Sequence, residues 1–196
     1  MLAASAKIVA REGTIGSMNR SDSERWLYLS TAEAAPLVRA VEAMGSSPSA
    51  NAIAKLRRTF DHDDLRLAID LVGARRLAAR KFPSRPHLLC DRQGIEQASS
   101  EQTAAWKARR FGSEPVLDLC CGIGGDAMAL AARGPTVGVD RSPARSVMCH
   151  VNAGIETRTD EVSSVELDAP LIHIDPARRD EVTGSGDGRS KPLSRA

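Results

Sequence analysis

The chain has 196 residues, 42% hydrophobic and 27% charged, the balance of a globular protein of one domain or one domain with a small attachment. Aromatic residues make up only 3%, so aliphatic side chains must fill the core and an extended aromatic base-stacking platform is not expected. The net charge of +2 is uneven: residues 1–112 carry 18 Lys and Arg against 12 Asp and Glu, residues 113–196 only 9 against 13. A basic first half points to an anionic partner or, equally, to solvated helix faces.

Residues 1–17 lack a continuous apolar segment and read as poorly ordered, with Met18 as an alternative start. Residues 18–112 read as a mainly helical region. "STAEAAPLVRAVEAMG" is a helix with Ser30 and Glu33 at capping-box spacing and Gly45 as its stop. A second helix follows Ser49, and a third starts near Asp61, with Asp in its first turn and Arg in its last. Leu65, Ile69, Val72 and Leu77 form its apolar stripe. "PHLLC" at 86–90 reads as a short strand, and "SSEQTAAWKARRFG" as a helix capped by Ser99 with Gln102.

From residue 115 the rhythm alternates. "PVLDLCC" is a strand, "GGDAMALAARG" a helix, "TVGVD" a strand, "SPARSVMCHVNAG" a helix, and "IETRTD" and "LIHID" are further strands. Alternating strand and helix predicts an α/β fold with a parallel, Rossmann-like sheet, here of about four strands over 113–180. Residues 181–196 are polar and Gly/Ser-rich and read as a disordered tail. No apolar run reaches the roughly 20 residues of a membrane span. The four cysteines, with Cys120 and Cys121 adjacent in an apolar run, read as reduced thiols of a cytoplasmic protein. Adjacent strand residues face opposite ways, so Cys120 and Cys121 would not share an ion, and no metal is expected.

Gly122, Gly124 and Ala127 fit G-x-G-x-x-G/A between strand and helix, with Gly125 alongside. Several cofactors use that turn, and the acids choose between them. Asp118 ends the strand and Asp126 opens the helix; both would repel a pyrophosphate. A cationic ligand such as S-adenosyl-L-methionine would instead gain about 1–4 kcal/mol per charge pair at 4 Å. Asp140, at the end of the second strand, is placed to accept ribose hydroxyls. Asp160 lies either near an adenine amino group or in an exposed loop.

"VLDLCCGIGGD…VGVDRSP" resembles the cofactor motifs of class I S-adenosylmethionine-dependent methyltransferases, with Cys120 standing where that family usually has glycine. "CGIGGD" is similar to the cap-trimethylguanosine-synthase branch. It is closer to bacterial methyltransferases carrying a C-terminal THUMP-like domain, which share Lys81-Phe82, 94–99 "GIEQAS", 108–111 "ARRF" and 175–179 "DPARR". The resemblance spans roughly 65–180 and implies methyl transfer, with RNA as acceptor.

It also implies that Asp175, Pro176 and Arg178 form the acceptor loop, where Asp175 and loop carbonyls would accept hydrogen bonds from a target amine. Ala177 and Arg178 replace the Pro and aromatic that amino-nitrogen methyltransferases carry there, so Arg178 and Arg179 could hold a phosphate instead. His173 reads as a packed core or sheet-edge histidine rather than a general base. Arg76 and Arg80, at i and i+4, form with Arg57, Arg58, Lys107, Arg109 and Arg110 a candidate RNA-binding surface.

The resemblance implies three further strands and a THUMP-like domain, and residues 180–196 hold no counterpart, so the chain reads as a C-terminally truncated form. Strand four would then offer an exposed apolar edge for self-association or a partner. Two other readings stay open: a non-catalytic cofactor-binding or scaffold module, and a nucleotide-dependent oxidoreductase.

Overall fold

A computed structural model describes residues 20–176. The readings made for residues 1–17 and 181–196 and for Arg178 lie outside them. Six helices come first: α1 (Asp22–Leu29), α2 (Ala35–Ala43), α3 (Ala50–Leu56), α4 (His62–Ala78), α5 (Arg92–Gln97) and α6 (Glu101–Ala108). Then strand and helix alternate as β1 (Val116–Leu119), α7 (Ala127–Ala131), β2 (Thr136–Asp140), α8 (Pro143–Ala153), β3 (Glu156–Thr159) and β4 (Leu171–Ile174).

The capping box falls one helix earlier than the sequence reading put it. Ser21 Oγ accepts from the Glu24 N–H and the Glu24 carboxylate accepts from the Ser21 N–H at the start of α1. Ser30 instead closes α1, its hydroxyl donating to the Leu27 carbonyl at 2.6 Å. α2 begins after a 3-10 turn at Ala32–Ala34, because Pro36 presets the backbone angle and has no N–H to satisfy. α3 and α4 start where expected, on Ser49 and Asp61, but Leu77 is 45% exposed and does not join the α4 stripe. α6 is capped by Ser100, whose hydroxyl accepts from the Thr103 N–H; Ser99 is left for another contact.

Residues 86–90 form no strand. Leu88, Leu89 and Cys90 are buried, and the Leu89 backbone finds its partners in the Asn152 side chain, through N–H to Oδ1 and Nδ2 to the carbonyl, both 2.8 Å. One amide does what a neighbouring strand would do. The same Nδ2 donates to the Ile123 carbonyl, so Asn152 joins helical layer, glycine turn and α8. Ile123 and Met148 enter one core with Trp26, Leu37, Leu71 and Leu89, so the helices pack onto the α8 side of the sheet.

The sheet is parallel throughout, in the order β3-β2-β1-β4. In-register partners share a face. Val116, Asp118, Gly138 and His173 therefore face α6, α7 and α8, while Leu117, Leu119, Val137 and Val139 pack against Val162, Val165 and Ala169. On that second face Ile172 and Ile174 of β4 are 37% and 52% exposed. Among the described residues no helix is long and apolar enough to cross a membrane.

The order reverses at β1: the chain runs outward to β2 and β3, then returns to place β4 on the other side of β1. Such a reversal leaves a crevice beyond the carboxyl ends of the two central strands, where ligands of doubly wound folds bind.

Candidate functional site at the strand reversal

β1 ends at Leu119, and the expected extension of this strand through both cysteines does not occur. Cys120 adopts φ +60, and Gly122 and Gly124 follow at +55 and +88. A left-handed residue at 120 is the geometry that glycine supplies most cheaply, which gives the Gly-to-Cys departure a physical cost. Cys121 turns inward with Cys149 against Gly138, where an added Cβ would lie 3.0 Å and 3.1 Å from the two sulfurs. The neighbouring Cys149 thiol, together with burial, holds Cys121 protonated. Among the described residues no group of three His, Cys, Asp or Glu could hold a metal ion.

The three glycines do different work. A Cβ at Gly124 would press on Cys149 Cα at 3.2 Å, and one at Gly125 on Ala98 Cβ at 3.3 Å. A Cβ at Gly122 would meet only the Cys120 carbonyl oxygen, at 3.9 Å, so the turn is open there. The Gly122 N–H donates to Asp140 Oδ2 at 2.9 Å, and the Ser142 N–H to Asp140 Oδ1 at 2.9 Å. Asp140 thus locks the glycine turn to the end of β2. Asp160 follows β3 and is exposed; its Oδ1 accepts from the Glu161 N–H and the Ser164 hydroxyl, a local turn.

Asp118 is 2% exposed, and the His173 imidazole donates Nδ1–H to its Oδ1 at 2.7 Å. The strand register sets this pair: Asp118 and His173 are directly opposite on β1 and β4. His173 is packed, as its place in the strand implies, but it is also the partner of the site's innermost acid. Burial pushes the Asp118 carboxyl up and His173 pulls it back, while the hydrogen bond to Asp118 raises the imidazole pKa against the cost of burial. Phe111 meets the imidazole edge-on, with ring centroids 5.8 Å apart.

Asp126 precedes α7, which is only five residues long and shorter than the sequence reading made it. Its side chain makes no cap hydrogen bond; instead Oδ2 accepts from Lys107 Nζ at 2.9 Å and from Ser99 Oγ at 3.3 Å. Lys107 Nζ also reaches Asp175 Oδ2, just past β4. Lys107 therefore does not belong to an outward basic surface: it lies among acids. Pro176 follows Asp175 at the end of the described residues.

Two oxygens in this cluster are buried without a hydrogen-bond partner among the described residues, Asp118 Oδ2 and Asp126 Oδ1. The charge of Asp126 adds to the burial that raises the Asp118 carboxyl. Unpartnered buried carboxylate oxygens are costly and call for a donor. Outside the crevice, Arg76 lies exposed on α4 and Arg80 past its end at Ala78, so the two do not share a helix. Arg109 and Arg110 are exposed beyond α6, with the Arg110 guanidinium 4.7 Å from the centre of the Trp106 ring, itself 57% exposed.

The sequence reading gave Lys107 to an RNA-binding surface and Ser99 to a helix cap; their contacts with Asp126 and the pairing role of His173 were not part of it. Only the last had a usable signal: "LDL" and "IHI", each an acid or imidazole between two apolar residues of a strand, align acid with imidazole once β1 and β4 are neighbours.

No family model matches the chain. No curated protein matches it either. Among solved structures, a candidate methyltransferase from Porphyromonas gingivalis W83 aligns with 65% of this chain and 34% of its own, at 18% identity and TM-score 0.52. The chain thus spans about a third of that structure. Coclaurine N-methyltransferase bound to N-methylheliamine and SAH aligns over 78% of this chain and 52% of its own at 10% identity; its TM-score of 0.34 is too low to carry an argument. The first likeness establishes a methyltransferase-like α/β fold and does not extend to a THUMP-like branch or a substrate.

Proposed function

We propose that this chain binds S-adenosyl-L-methionine at the β1–β4 reversal and is the cofactor-binding part of a class I methyltransferase. The observation that carries this reading is the pair of buried, unpartnered oxygens, Asp118 Oδ2 and Asp126 Oδ1, beside a glycine turn open at Gly122. They fit a cationic donor such as the cofactor's α-ammonium, and they disfavour a pyrophosphate. Asp140 and Asp160 are the proposed ribose and adenine acids, Asp140 while still bracing the turn. Bound there, the cofactor would supply an electrophilic methyl group. Asp175, with a 41% exposed side chain and Oδ2 held by Lys107, would accept a hydrogen bond from the acceptor, and Pro176 would stiffen the loop that carries it.

The acceptor we propose is RNA, held by Arg76, Arg80, Arg109 and Arg110 and by Arg178 of the "DPARR" segment, with a base amino nitrogen as the methylated atom. Support comes from the sequence resemblance and from the exposure of the first four arginines. The alternative of a cofactor-binding module without turnover predicts binding and no methyl transfer to any RNA pool.

Isothermal titration of the folded chain separates these readings from an oxidoreductase. S-adenosylmethionine should bind with unit stoichiometry and nicotinamide dinucleotides should give no heat. Binding of the dinucleotide alone would defeat the methyltransferase reading.

A further inference from the structure

Lys107 reaches into the crevice from α6, outside the sheet. An ammonium has three N–H donors. Here they meet three acceptors: Ser99 Oγ at 2.8 Å, Asp126 Oδ2 at 2.9 Å, and Asp175 Oδ2. The side chain is 22% exposed, so little of that capacity is left for water. Asp126 opens α7, on the cofactor side of the reversal. Asp175 follows β4, on the acceptor side. One cation therefore bridges the acids of the two half-sites. Burial works against its charge, but the hydrogen bonds to Asp175 and Asp126 outweigh it and hold the pKa up. Lys107 thus stays an ammonium at neutral pH and cannot act as a base.

The bridge leaves one oxygen of each acid uncommitted. Asp126 Oδ1 is buried and unpartnered. Among the described residues Asp175 is held by Lys107 on Oδ2, which fixes its carboxylate in direction and leaves Oδ1 able to accept. The cation also offsets part of the negative charge that would draw a cationic ligand into the crevice.

We propose that Lys107 is a positioning and charge-setting residue: it ties Asp126 to Asp175, and its ammonium competes with the positive charge of a ligand bound between them. The proposal rests on the cofactor reading above. It makes a demand that simple structural support does not. S-adenosylmethionine and S-adenosylhomocysteine differ by one methyl group and one positive charge. A purely structural lysine would alter the affinity for both together. A charge-setting lysine alters their ratio.

The test is isothermal titration of both ligands into the full chain and its Lys107→Met, Lys107→Gln and Lys107→Arg variants, with thermal melting as a check of folding. The Met and Gln variants should raise the affinity for S-adenosylmethionine relative to S-adenosylhomocysteine by roughly fivefold or more. The Arg variant should keep the wild-type ratio within about twofold, since it keeps the charge. Gln retains donors for Ser99 and Asp126, so it serves if the Met variant does not fold. Binding of both ligands with an unchanged ratio in the neutral variants overturns the role of Lys107 and leaves the cofactor reading standing. Binding of neither ligand by folded wild-type protein overturns both.

Discussion

Replacing His173 with Leu probes the innermost part of the site without touching the glycine turn. Asp118 is 2% exposed, its Oδ1 is held by His173 at 2.7 Å, and its Oδ2 has no partner among the described residues. Removing the imidazole leaves a buried carboxyl with neither oxygen bonded. Breaking a buried pair from one side costs about 3–5 kcal/mol, against about 1.5–3 for an ordinary charged hydrogen bond. For a chain of this size that is roughly 6–20 °C in melting temperature. Urea unfolding at neutral pH is the assay. Converting Asp118 to Leu as well should recover most of the loss, because two apolar side chains leave no orphaned charge. The pH dependence has a defined sign. The imidazole pKa is raised above its ordinary 6.5, so its contribution is full below that value and is lost as pH rises through the folded pKa. Wild-type stability should fall as pH rises above the ordinary imidazole pKa of 6.5 more than that of the Leu variant. A loss under about 1 kcal/mol, or identical pH profiles, would show that the pair is not the strut described here.

Two further substitutions test the scaffold that aims the site. Gly94→Ala would put a Cβ 1.9 Å from an Arg145 guanidinium nitrogen and 2.3 Å from Ile123 Cγ2. It should cost roughly 1–3 kcal/mol in urea unfolding, and a neutral outcome would mean that α5 shifts freely. Asn152→Leu removes partners from the Leu89 N–H and from the Leu89 and Ile123 carbonyls. We expect a loss of roughly 2–4 kcal/mol, with amide exchange accelerated at Leu89; unchanged exchange there would contradict the bridging role.

The alternating segments after residue 115 were legible because strand and helix periods differ and every turn carried glycine or an acid. The four parallel strands follow from that pattern, and Ser49 and Asp61 announced their helices by residue type alone. Residues 86–90 misled because burial and apolar character are shared by strands and by buried coil; only Asn152, distant in sequence, supplies the missing partners. The capping spacing at Ser30 was outweighed by Pro36. That Asp118, Asp126 and Asp140 surround the glycine turn was legible from their spacing. Lys107 was not, because a lysine on a short helix gives no sign in sequence of which acids lie opposite it.

In the proposed complex the two unpartnered oxygens receive a ligand's cationic donor. The most direct test is a crystal structure of the chain with S-adenosylhomocysteine. The ligand ammonium should lie within about 3.2 Å of Asp118 Oδ2 or Asp126 Oδ1, next to Gly122. A ligand seated elsewhere, such as the groove between Phe82, Ala104 and Met128, with both oxygens still unpartnered, would contradict it.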